Sequence, residues 1–566
     1  MALTHAPGEA PPALTSGKRW AIMGAVMLGL FLSAMDQTVV GTAMPRIIAE
    51  LSGLELYAWV FTAYMLTSTT FVPIVGKMGD VYGRRRFLLA GIVVFLFGSA
   101  LSGMSQSMMQ LIVFRGAQGI GGGLIFANAF AILGDLYTAA ERGKYAGLMS
   151  SVFGLASVIG PLIGGTITDN FDWRWVFYVN IPLGLVALVV LWLVLPASRA
   201  DAPGRSLDYA GAAALAAAIA PLLLAFSWAG NDYGWTDRRV LTPFLVSAAM
   251  FALFITLERR AADPIVPLSL FRNSIFTVSN VVTVVSGAAM FSGSVYIPLF
   301  MQGVLGFSAT NAGLVLTPMT IAMVVGSIAG GQLISRTGRY RGVVPAGLAV
   351  SALGLYLLSR LDADSSQLAG IRDMAIIGFG IGFTFPVLMI AAQNAVPDSM
   401  LGVVSSLSQF ARSVGGTIGV AIMGSLLARR LDDELAAGLP AEVREGAPAP
   451  LLEAITNPRL LLDDGALARV RDQGFAPVFG ADAPRLFEAS IASMRDALAI
   501  SIADVFLLAA VLMALAAGLG LLLREIPLSS TRDLPQNVAT PTGAQDLAPS
   551  LSPRPAPGSA PRNPGL

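Results

Sequence analysis

Fourteen long apolar stretches, separated by mostly short polar breaks, run through this chain of 566 residues. A helix that crosses a bilayer needs roughly 20 apolar residues, and each stretch is close to that length. The predicted spans are 20–44, 57–76, 87–105, 108–130, 143–168, 175–195, 207–228, 240–258, 275–302, 310–334, 343–360, 369–396, 401–427 and 502–523. The chain is therefore predicted to be an all-α membrane protein with 14 transmembrane helices.

The composition supports this class and excludes others. Hydrophobic residues make up 55% of the chain and charged residues 13%, whereas a soluble domain carries about a quarter charged residues. The short alternating segments of a transmembrane barrel do not appear. A net charge of +1 gives no reason to expect nucleic acid, and the lack of cysteine excludes disulfides, thiolate metal sites and a cysteine nucleophile. The single histidine, His5, lies in the polar N-terminal tail, so no histidine inside a span can relay protons.

The distribution of Lys and Arg predicts the orientation of the spans. When the N-terminus is placed inside the cell, the inner loops hold most of the Lys and Arg residues of the short loops, as the positive-inside rule requires. Both termini are then cytoplasmic. We expect a multi-pass protein of the cytoplasmic (inner) membrane.

A repeat in two inner loops indicates two related halves. The stretches "GKMGDVYGRRR" (76–86) and "GQLISRTGRYR" (331–341) match at two glycines, at the Arg after the second glycine and at the last Arg. Parallel six-helix halves produce such a repeat. The predicted segments are an N-terminal tail at 1–19, a first half at 20–200, a two-helix insert at 201–262, a second half at 263–525 with an extracytoplasmic insert at 428–500, and a disordered C-terminal tail at 526–566.

Four stretches, in order and at the expected spans, carry a resemblance to a known family. They are "LSAMDQTVVGTAMP" (32–45), "GKMGDVYGRRR" (76–86), "LIVFRGAQGIGGG" (111–123) and "GLASVIGPLIGG" (154–165). From about residue 20 to 525 the chain resembles the major facilitator superfamily, and in particular its fourteen-span drug:proton antiporters of the EmrB/QacA type. One departure is Ser335, which stands in the second loop where the first has Asp80. A latch that uses a carboxylate is therefore expected only in the first of the two repeated loops.

Asp36 and Arg115 are the candidate proton-coupling residues. On ideal helices both lie at a similar depth in the outer half of the bilayer, with Arg115 ~10 Å from the outer end of its span. An opposite charge favours the carboxylate and desolvation disfavours it, and groups balanced in this way suit proton coupling. The alternative is an interfacial Arg that snorkels and an Asp that ends a helix. The resemblance favours the coupling role.

Gly76, Asp80, Gly83 and Arg84 form the candidate conformational latch. Asp80 follows glycines at a sharp turn, where it can accept from backbone N–H groups and interact favourably with a nearby helix N-terminus. The resemblance implies that Asp80 and Arg84 hold the two halves together on the cytoplasmic side in the outward-facing state. Anchoring of the loop by positive charge is the alternative, which accounts for the neighbouring arginines but not for Asp80.

The fifth span carries the antiporter motif of the resemblance, with Gly154, Gly160, Pro161, Gly164 and Gly165. Small residues let helix backbones approach closely, and a proline removes one internal hydrogen bond and bends the helix. Close packing alone is an alternative explanation of the glycines. In relatives, the compact Gly-Pro core accompanies export rather than uptake.

The candidate residues of a cavity are polar or aromatic positions inside the spans. Arg412 lies near the middle of the bilayer by helical rise and should face the protein interior, where it either lines a cavity or pairs with a helix C-terminus. The other candidates are Tyr64, Gln118, Phe126, Phe153 and Asn280. Plain helix packing is the alternative for the aromatic positions.

These patterns predict a secondary transporter that exports hydrophobic, often cationic small molecules, such as drugs and dyes, in exchange for protons. The expected partners are those substrates, protons and the lipid bilayer, without nucleic acid, and the expected state is a monomer. The sequence contains no nucleophile–base pair, metal-ligand set or phosphate-binding loop, so we expect neither an enzyme nor a cofactor or metal. The alternatives are export of a lipid, peptide or metabolite, and a membrane receptor or scaffold that uses the 428–500 insert.

Overall fold

A computed structural model describes residues 15–51, 56–196, 207–229, 233–305, 309–362, 365–457, 460–461 and 464–526. Most of these residues are helical, and none of them belongs to a β-strand. The prediction of an all-α protein is confirmed. The predicted N-terminal tail lies outside the described residues as far as residue 14, and the predicted C-terminal tail lies outside them from residue 527.

The first half contains six spans. They are α1 (Ser16–Leu51), α2 (Tyr57–Tyr82), α3 (Arg84–Gly103), α4 (Met108–Leu136), α5 (Ala139–Asn170) and a sixth span made of α6 (Trp175–Tyr178) and α7 (Asn180–Val194). The start of α4 shows how the sequence sets a helix boundary. The Ser107 side chain accepts a hydrogen bond from the Gln110 amide, so it satisfies one of the N–H groups that the first turn leaves without a helical partner.

A two-helix hairpin and the second half follow. The hairpin consists of α8 (Tyr209–Trp228) and α9 (Arg238–Glu258), which pack on each other. The second half begins with α10 (Ser274–Leu299), α11 (Ala309–Thr337), α12 (Val343–Leu358), α13 (Gln367–Asn394) and α14 (Leu401–Gly438). Four short helices come next: α15 (Ala441–Gly446), α16 (Ala449–Thr456), α17 (Asp464–Arg469) and α18 (Ala476–Phe479). The last span is α19 (Ala483–Gly520).

The helices account for every predicted span. Within the described residues, thirteen helical segments are long and apolar enough to cross a membrane, and α12 is a shorter apolar helix of 16 residues. At 1.5 Å per residue α12 is about 24 Å long, which is slightly less than the hydrocarbon core. The prediction of fourteen spans is confirmed.

Matching glycines show that the two halves are built alike. The glycines are Gly119, Gly121 and Gly123 in α4, and Gly378, Gly380 and Gly382 in α13. The outer two of each triplet face the backbone of α2 or α11, and the middle one faces the backbone of α3 or α12. A Cβ atom at any of these positions would collide with backbone atoms, so each glycine sets a close helix approach. The predicted pseudo-symmetric halves are confirmed.

The repeated loops also share a glycine with positive φ. Gly83 has φ 97° and Gly338 has φ 68°. Residues with a Cβ atom rarely adopt positive φ because of steric conflict with the carbonyl oxygen. The glycine match between the two loops therefore has a conformational cause.

The hairpin of α8 and α9 covers a line where the two halves meet. Its buried residues share one apolar cluster with residues of α2 and α14. Lys77 of α2 forms a 2.5 Å ion pair with Asp263, which follows α9. Between α8 and α9, the Trp235 indole donates to the Ser425 hydroxyl of α14 at 2.6 Å. The hairpin therefore contacts both halves.

The predicted 428–500 insert is largely helical, and two predicted helix boundaries need correction. The helix α14 continues to Gly438 instead of ending near residue 427, and α19 begins at Ala483 instead of residue 502. Leu431 and Leu435 of α14 and Met494 of α19 are buried in the apolar core. Both helices continue past their apolar spans because each has an amphipathic extension that packs on its neighbours.

Glu50 fixes one end of α1. Its carboxylate accepts from the Arg174 guanidinium at 2.7 Å and from the Trp173 indole at 2.8 Å. These two donors hold the pKa of Glu50 below its ordinary value. The carboxylate therefore stays charged in mildly acidic solution, and α1 stays attached to the segment that precedes α6.

Gly121→Ala should destabilise the protein. The added methyl group would collide with the backbone of Phe95 in α3, which cannot rotate away as a side chain can. Overpacking of this kind costs about 1–3 kcal/mol, so we expect a lower midpoint of thermal unfolding in detergent. Gly24→Ala in α1 is the matched control, because its methyl group would meet nothing within 4 Å. Equal midpoints for the two variants would contradict the role of Gly121 in helix packing.

Candidate functional site

A buried ion pair joins α1 to α4. The Nη1 atom of Arg115 donates to one carboxylate oxygen of Asp36, and both side chains are 0% exposed. The other oxygen accepts from Gln118 Nε2 at 2.8 Å and from Asn180 Nδ2 at 3.0 Å. Three donors from α4 and α7 thus compensate the negative charge of Asp36, as burial of an ion requires. Sequence reasoning missed Asn180, because its position at the start of α7 gives no signal of a partner on α1.

Two residues predicted to line a cavity belong to this charge pair instead. Gln118 is fully buried and accepts a hydrogen bond from Arg115 at 2.8 Å, besides donating to Asp36. The Tyr64 ring lies 4.5 Å from the Arg115 guanidinium carbon, in a cation–π contact. The Tyr64 hydroxyl lies 2.7 Å from that of Ser33. Gln118 of α4 therefore faces α1, and Tyr64 of α2 faces α1 and α4. Helices that are apolar on every side give no sequence pattern that identifies the cavity face.

Asp80 and Arg84 join the two halves at one end of the bundle, here called the latch end. The Asp80 carboxylate accepts from the backbone amides of Gly402 at 3.1 Å and Val403 at 2.9 Å, in the first turn of α14. Arg84 Nη2 donates to the same carboxylate at 2.7 Å. A helix N-terminus has unpaired N–H groups and a positive dipole end, so this contact holds a charge of the first half against the second.

Further polar contacts surround Arg84 at the latch end. Arg84 donates to the Ala131 carbonyl at 2.9 Å and to Asp135. Arg142 donates to Asp398, just before α14, at 3.3 Å. Sequence reasoning identifies Asp80 and Arg84 but not α14 as their partner. The amide of Gly402 is 322 residues from Asp80, and only the packing of the halves brings them together.

The two glycines of the predicted latch, Gly76 and Gly83, have different structural roles. A Cβ atom on Gly76 would collide with the Ser406 side chain of α14, so Gly76 lets α2 and α14 cross closely. Gly83 ends α2 with positive φ, and Arg84 begins α3 directly after it. The tight reversal places the Arg84 guanidinium beside Asp80.

The helix with the predicted antiporter motif, α5, contacts both halves. Gly147 and Gly154 lie against α11, whereas Gly160 and Gly164 lie against α1. Gly165 has nothing within 4 Å of the position of a Cβ atom. Close packing therefore accounts for the motif glycines except Gly165.

A cavity of about 250 Å³ lies between the halves. Its lining residues come from α1, α2, α4 and α5 of the first half and from α10, α11, α13 and α14 of the second. Of the predicted cavity residues, Phe126, Phe153 and Arg412 line it. Asn280 does not, and its side chain donates to the Phe276 carbonyl one turn earlier. Arg412 thus has the position that the first of its two predicted alternatives requires.

Asp36 does not line this cavity, although its neighbours in the sequence do. Gln37 and Thr38 are lining residues, whereas Asp36 is 1% exposed. Successive residues of a helix point about 100° apart, so Asp36 faces α4 and α7 while Thr38 faces the cavity. A molecule in the cavity therefore does not touch Asp36 directly, and it can affect the charge pair only through the helices that line the cavity, of which α1 carries Asp36 itself.

A second buried carboxylate lies in the other half. Asp373 of α13 is 0% exposed, and one oxygen accepts from Arg372 Nε at 2.7 Å. Its second oxygen has no hydrogen-bond partner among the described residues. Sequence reasoning missed Asp373, because an acid beside an arginine near the start of a span is typical of a surface position.

The comparisons with known proteins agree with this architecture. The family model described as the Major Facilitator Superfamily matches residues 26–420. This chain belongs to the major facilitator superfamily. The resemblance found in the motifs is confirmed. Members of this superfamily are membrane transporters and not enzymes, so this superfamily member is a multi-pass membrane transporter.

Two bacterial relatives match over most of their length. The multidrug transporter protein MdtP of Bacillus subtilis (strain 168) is 38% identical over 527 residues, which cover 91% of this chain and 95% of the relative. Multidrug resistance protein 3 of the same organism is 35% identical over 499 residues, which cover 88% and 94% of the two chains. Bacterial relatives of this kind indicate the cell membrane as the location.

Solved structures show the same fold at low sequence identity. The human organic anion transporter MFSD10 (TETRAN) matches with a TM-score of 0.56 and 16% identity, covering 89% of this chain and 100% of that structure. A bacterial homolog of the human lysosomal transporter Spinster matches with a TM-score of 0.53 and 17% identity, covering 91% and 100%. At these identities the likeness concerns the fold alone.

Asp80→Asn should open the latch end. The variant keeps the size of the side chain but removes the charge that Arg84 and α14 bind, and breaking a buried ion pair costs about 3–5 kcal/mol. Because the chain has no cysteine, Ser150→Cys places a single thiol in the cavity. We expect a membrane-impermeant maleimide applied at the latch end to label this thiol at least about tenfold faster in the Asp80→Asn background.

Asp432→Asn provides the control for this measurement, because Asp432 is an exposed carboxylate in the extension of α14. Its labelling rate should equal that of the parent. Substrate binding should persist in Asp80→Asn, since Asp80 is not a cavity residue. An unchanged labelling rate would show that the contact does not close this end of the protein.

Proposed function

We propose that this chain is a secondary active transporter that exports hydrophobic small molecules in exchange for protons, by alternating access. The observation that carries the proposal is a cavity lined by both halves, with a charged contact between the halves at one end of the bundle. Release of the contact at Asp80 would open the cavity to that side. Two bacterial relatives bear the names of multidrug proteins, which supports drug-like compounds as substrates.

Asp36 is the proposed site of proton exchange. Protonation would remove the charge to which Arg115, Gln118 and Asn180 donate, so it would weaken the attachment of α1 to α4 and α7. Movement of α1 would reach the other half through α5. Thr38 of α1 donates to the Ala156 carbonyl of α5 at 3.2 Å, and α5 packs along α11. Proton binding and reorientation of the halves would share these helices.

The alternative functions fit the geometry less well. A receptor or scaffold has no need for a buried carboxylate beside a cavity that both halves line. The cavity of about 250 Å³ is slightly smaller than the range of about 300–1,000 Å³ for sites of small ligands, which favours a small molecule over a peptide or a whole lipid. The expectation that many substrates are cationic, the cytoplasmic position of both termini, the monomeric state and the segment boundaries remain predictions.

Export should stop when the proton gradient is dissipated. Inward movement of a proton releases about 1.4 kcal/mol per pH unit and about 2.3 kcal/mol per 100 mV, which suffices for at least tenfold accumulation of a substrate outside. Cells that lack other pumps and express this chain should lose efflux of a preloaded hydrophobic dye on addition of a protonophore, while measured ATP stays constant. Efflux that continues at the same rate would exclude proton exchange.

Asp36→Asn should abolish proton release when substrate is added to purified protein in weakly buffered detergent. The amide has nearly the size of the carboxylate and stays neutral, so folding should survive while the titrating group is lost. Asp36→Glu should keep part of the response with a shifted pH profile, because the carboxyl group remains but is displaced by a methylene.

Asp373→Asn is the matched control, because it removes the other fully buried carboxylate without touching α1. This variant should release protons like the parent protein. The reverse pattern, with release lost in Asp373→Asn and kept in Asp36→Asn, would place the coupling carboxylate in α13.

A further inference from the structure

We propose that the cavity selects organic anions, namely amphiphiles with an aromatic or apolar body and one negatively charged group that binds Arg412. The inference rests on the proposed function, because it assumes that the exported molecule occupies this cavity. The sign of the charge is opposite to that expected from the sequence.

Arg412 brings a positive charge into the cavity without a carboxylate partner. Its Nη2 atom donates to Gln409 Oε1 at 2.7 Å. The guanidinium carbon lies 4.2 Å from the centre of the Phe385 ring and 5.3 Å from that of Phe153. Among the described residues, no Asp or Glu forms a salt bridge with Arg412. The contacts with rings and an amide orient the guanidinium but leave its charge unbalanced.

The rest of the lining does not balance that charge either. Among the described residues that line the cavity, Arg412 is the only charged one. The nearby carboxylate of Asp36 faces away from the cavity, and Arg115 already compensates it. An unbalanced ion in a dry membrane interior is costly. A negatively charged group on the occupant would compensate the guanidinium, whereas a cation would be repelled.

Neutral lining groups also suit an anion with an apolar body. Ser150 and Ser327 are among the residues that line the cavity, and neither of their buried hydroxyls has a hydrogen-bond partner among the described residues. A hydroxyl can donate to an anionic oxygen. The stacked rings of Phe126 and Phe153 offer a surface for an aromatic ring. The cavity therefore combines one cation, free hydroxyl donors and aromatic walls.

The charge of the substrate determines how transport responds to membrane potential. Exchange of one inward proton for one outward monovalent cation moves no net charge. Exchange of one inward proton for one outward monovalent anion moves two positive charges inward, so a potential that is negative inside drives it strongly. Anion export by this chain should therefore respond to the potential as well as to the pH gradient.

Binding can be measured with three probes that share a pyrene ring and a butyl chain: 1-pyrenebutyrate, 1-pyrenebutanol and pyrenebutyl-trimethylammonium. Their fluorescence anisotropy is followed with purified full-length protein in phosphatidylcholine nanodiscs, with empty discs subtracted. We expect the parent protein to bind the carboxylate at least about tenfold more tightly than the alcohol, because hydrogen bonds to charged groups are the strong ones, and the ammonium most weakly.

Arg412→Gln should lower the affinity for pyrenebutyrate by about tenfold to a hundredfold, the range of a charge-assisted hydrogen bond, and leave that for pyrenebutanol unchanged. Arg412→Lys should recover part of the loss, since the positive charge remains but the planar fork does not. Arg429→Gln is the matched control, because Arg429 is an exposed residue of α14 that does not line the cavity, and it should bind all three probes like the parent.

Two results would overturn the inference. One is tighter binding of the ammonium than of the carboxylate by the parent protein. The other is an equal loss of all three affinities in Arg412→Gln, which would show that Arg412 acts through packing and not through charge. Neither result depends on proton coupling. Efflux that ignores a protonophore would overturn the proposed function and leave the charge preference of the binding site standing.

Discussion

Charge inside an apolar helix bundle needs a compensating partner, because a medium of low dielectric makes an isolated ion costly. That constraint sets the positions of the helices that carry such charges. Asp36 of α1 is held by donors from α4 and α7, and Asp80 of α2 is held by Arg84 and the N-terminus of α14. The first set fixes α1 within its half, and the second joins one half to the other. Loss of charge at either carboxylate would remove contacts that hold these helices in place.

Glycine residues let the helices approach closely enough for these contacts to form. The triplets of α4 and α13 bring each helix against two neighbours of its own half, so each half forms a tightly packed unit. At the seams between the halves, Gly76 and Gly154 serve the same purpose on α2 and α5. Close packing within each half suits movement of the halves as units, and the polar contacts of Asp80 join one half to the other at the latch end. The hairpin α8–α9 contacts both halves at one seam, on α2 and on α14.

The same electrostatic constraint applies to the cavity, where Arg412 has no carboxylate partner among the described residues. The negative charge of Asp36 is balanced within the protein, whereas the positive charge of Arg412 meets an amide and two aromatic rings. The protein thus keeps its proton-exchanging candidate behind α1 and presents a cation to the cavity. In the proposed mechanism, separation of the two charges by α1 would let substrate and proton act on the same helix without direct contact.

The sequence by itself determined the fourteen spans, because apolar length is a property of a segment and needs no neighbours. It also determined the repeated loop glycines, whose positive φ is a local requirement. The similar depth of Asp36 and Arg115 and the family resemblance predicted their pairing, which the structure contains. Only the tertiary structure decided which side each residue faces. Tyr64 and Gln118 bind the charge pair instead of lining the cavity, and α14 meets Asp80 across 322 residues. A span that is apolar on every side has no periodic pattern that shows which side faces the cavity. Residues that are distant in the sequence become neighbours only when the two halves pack together.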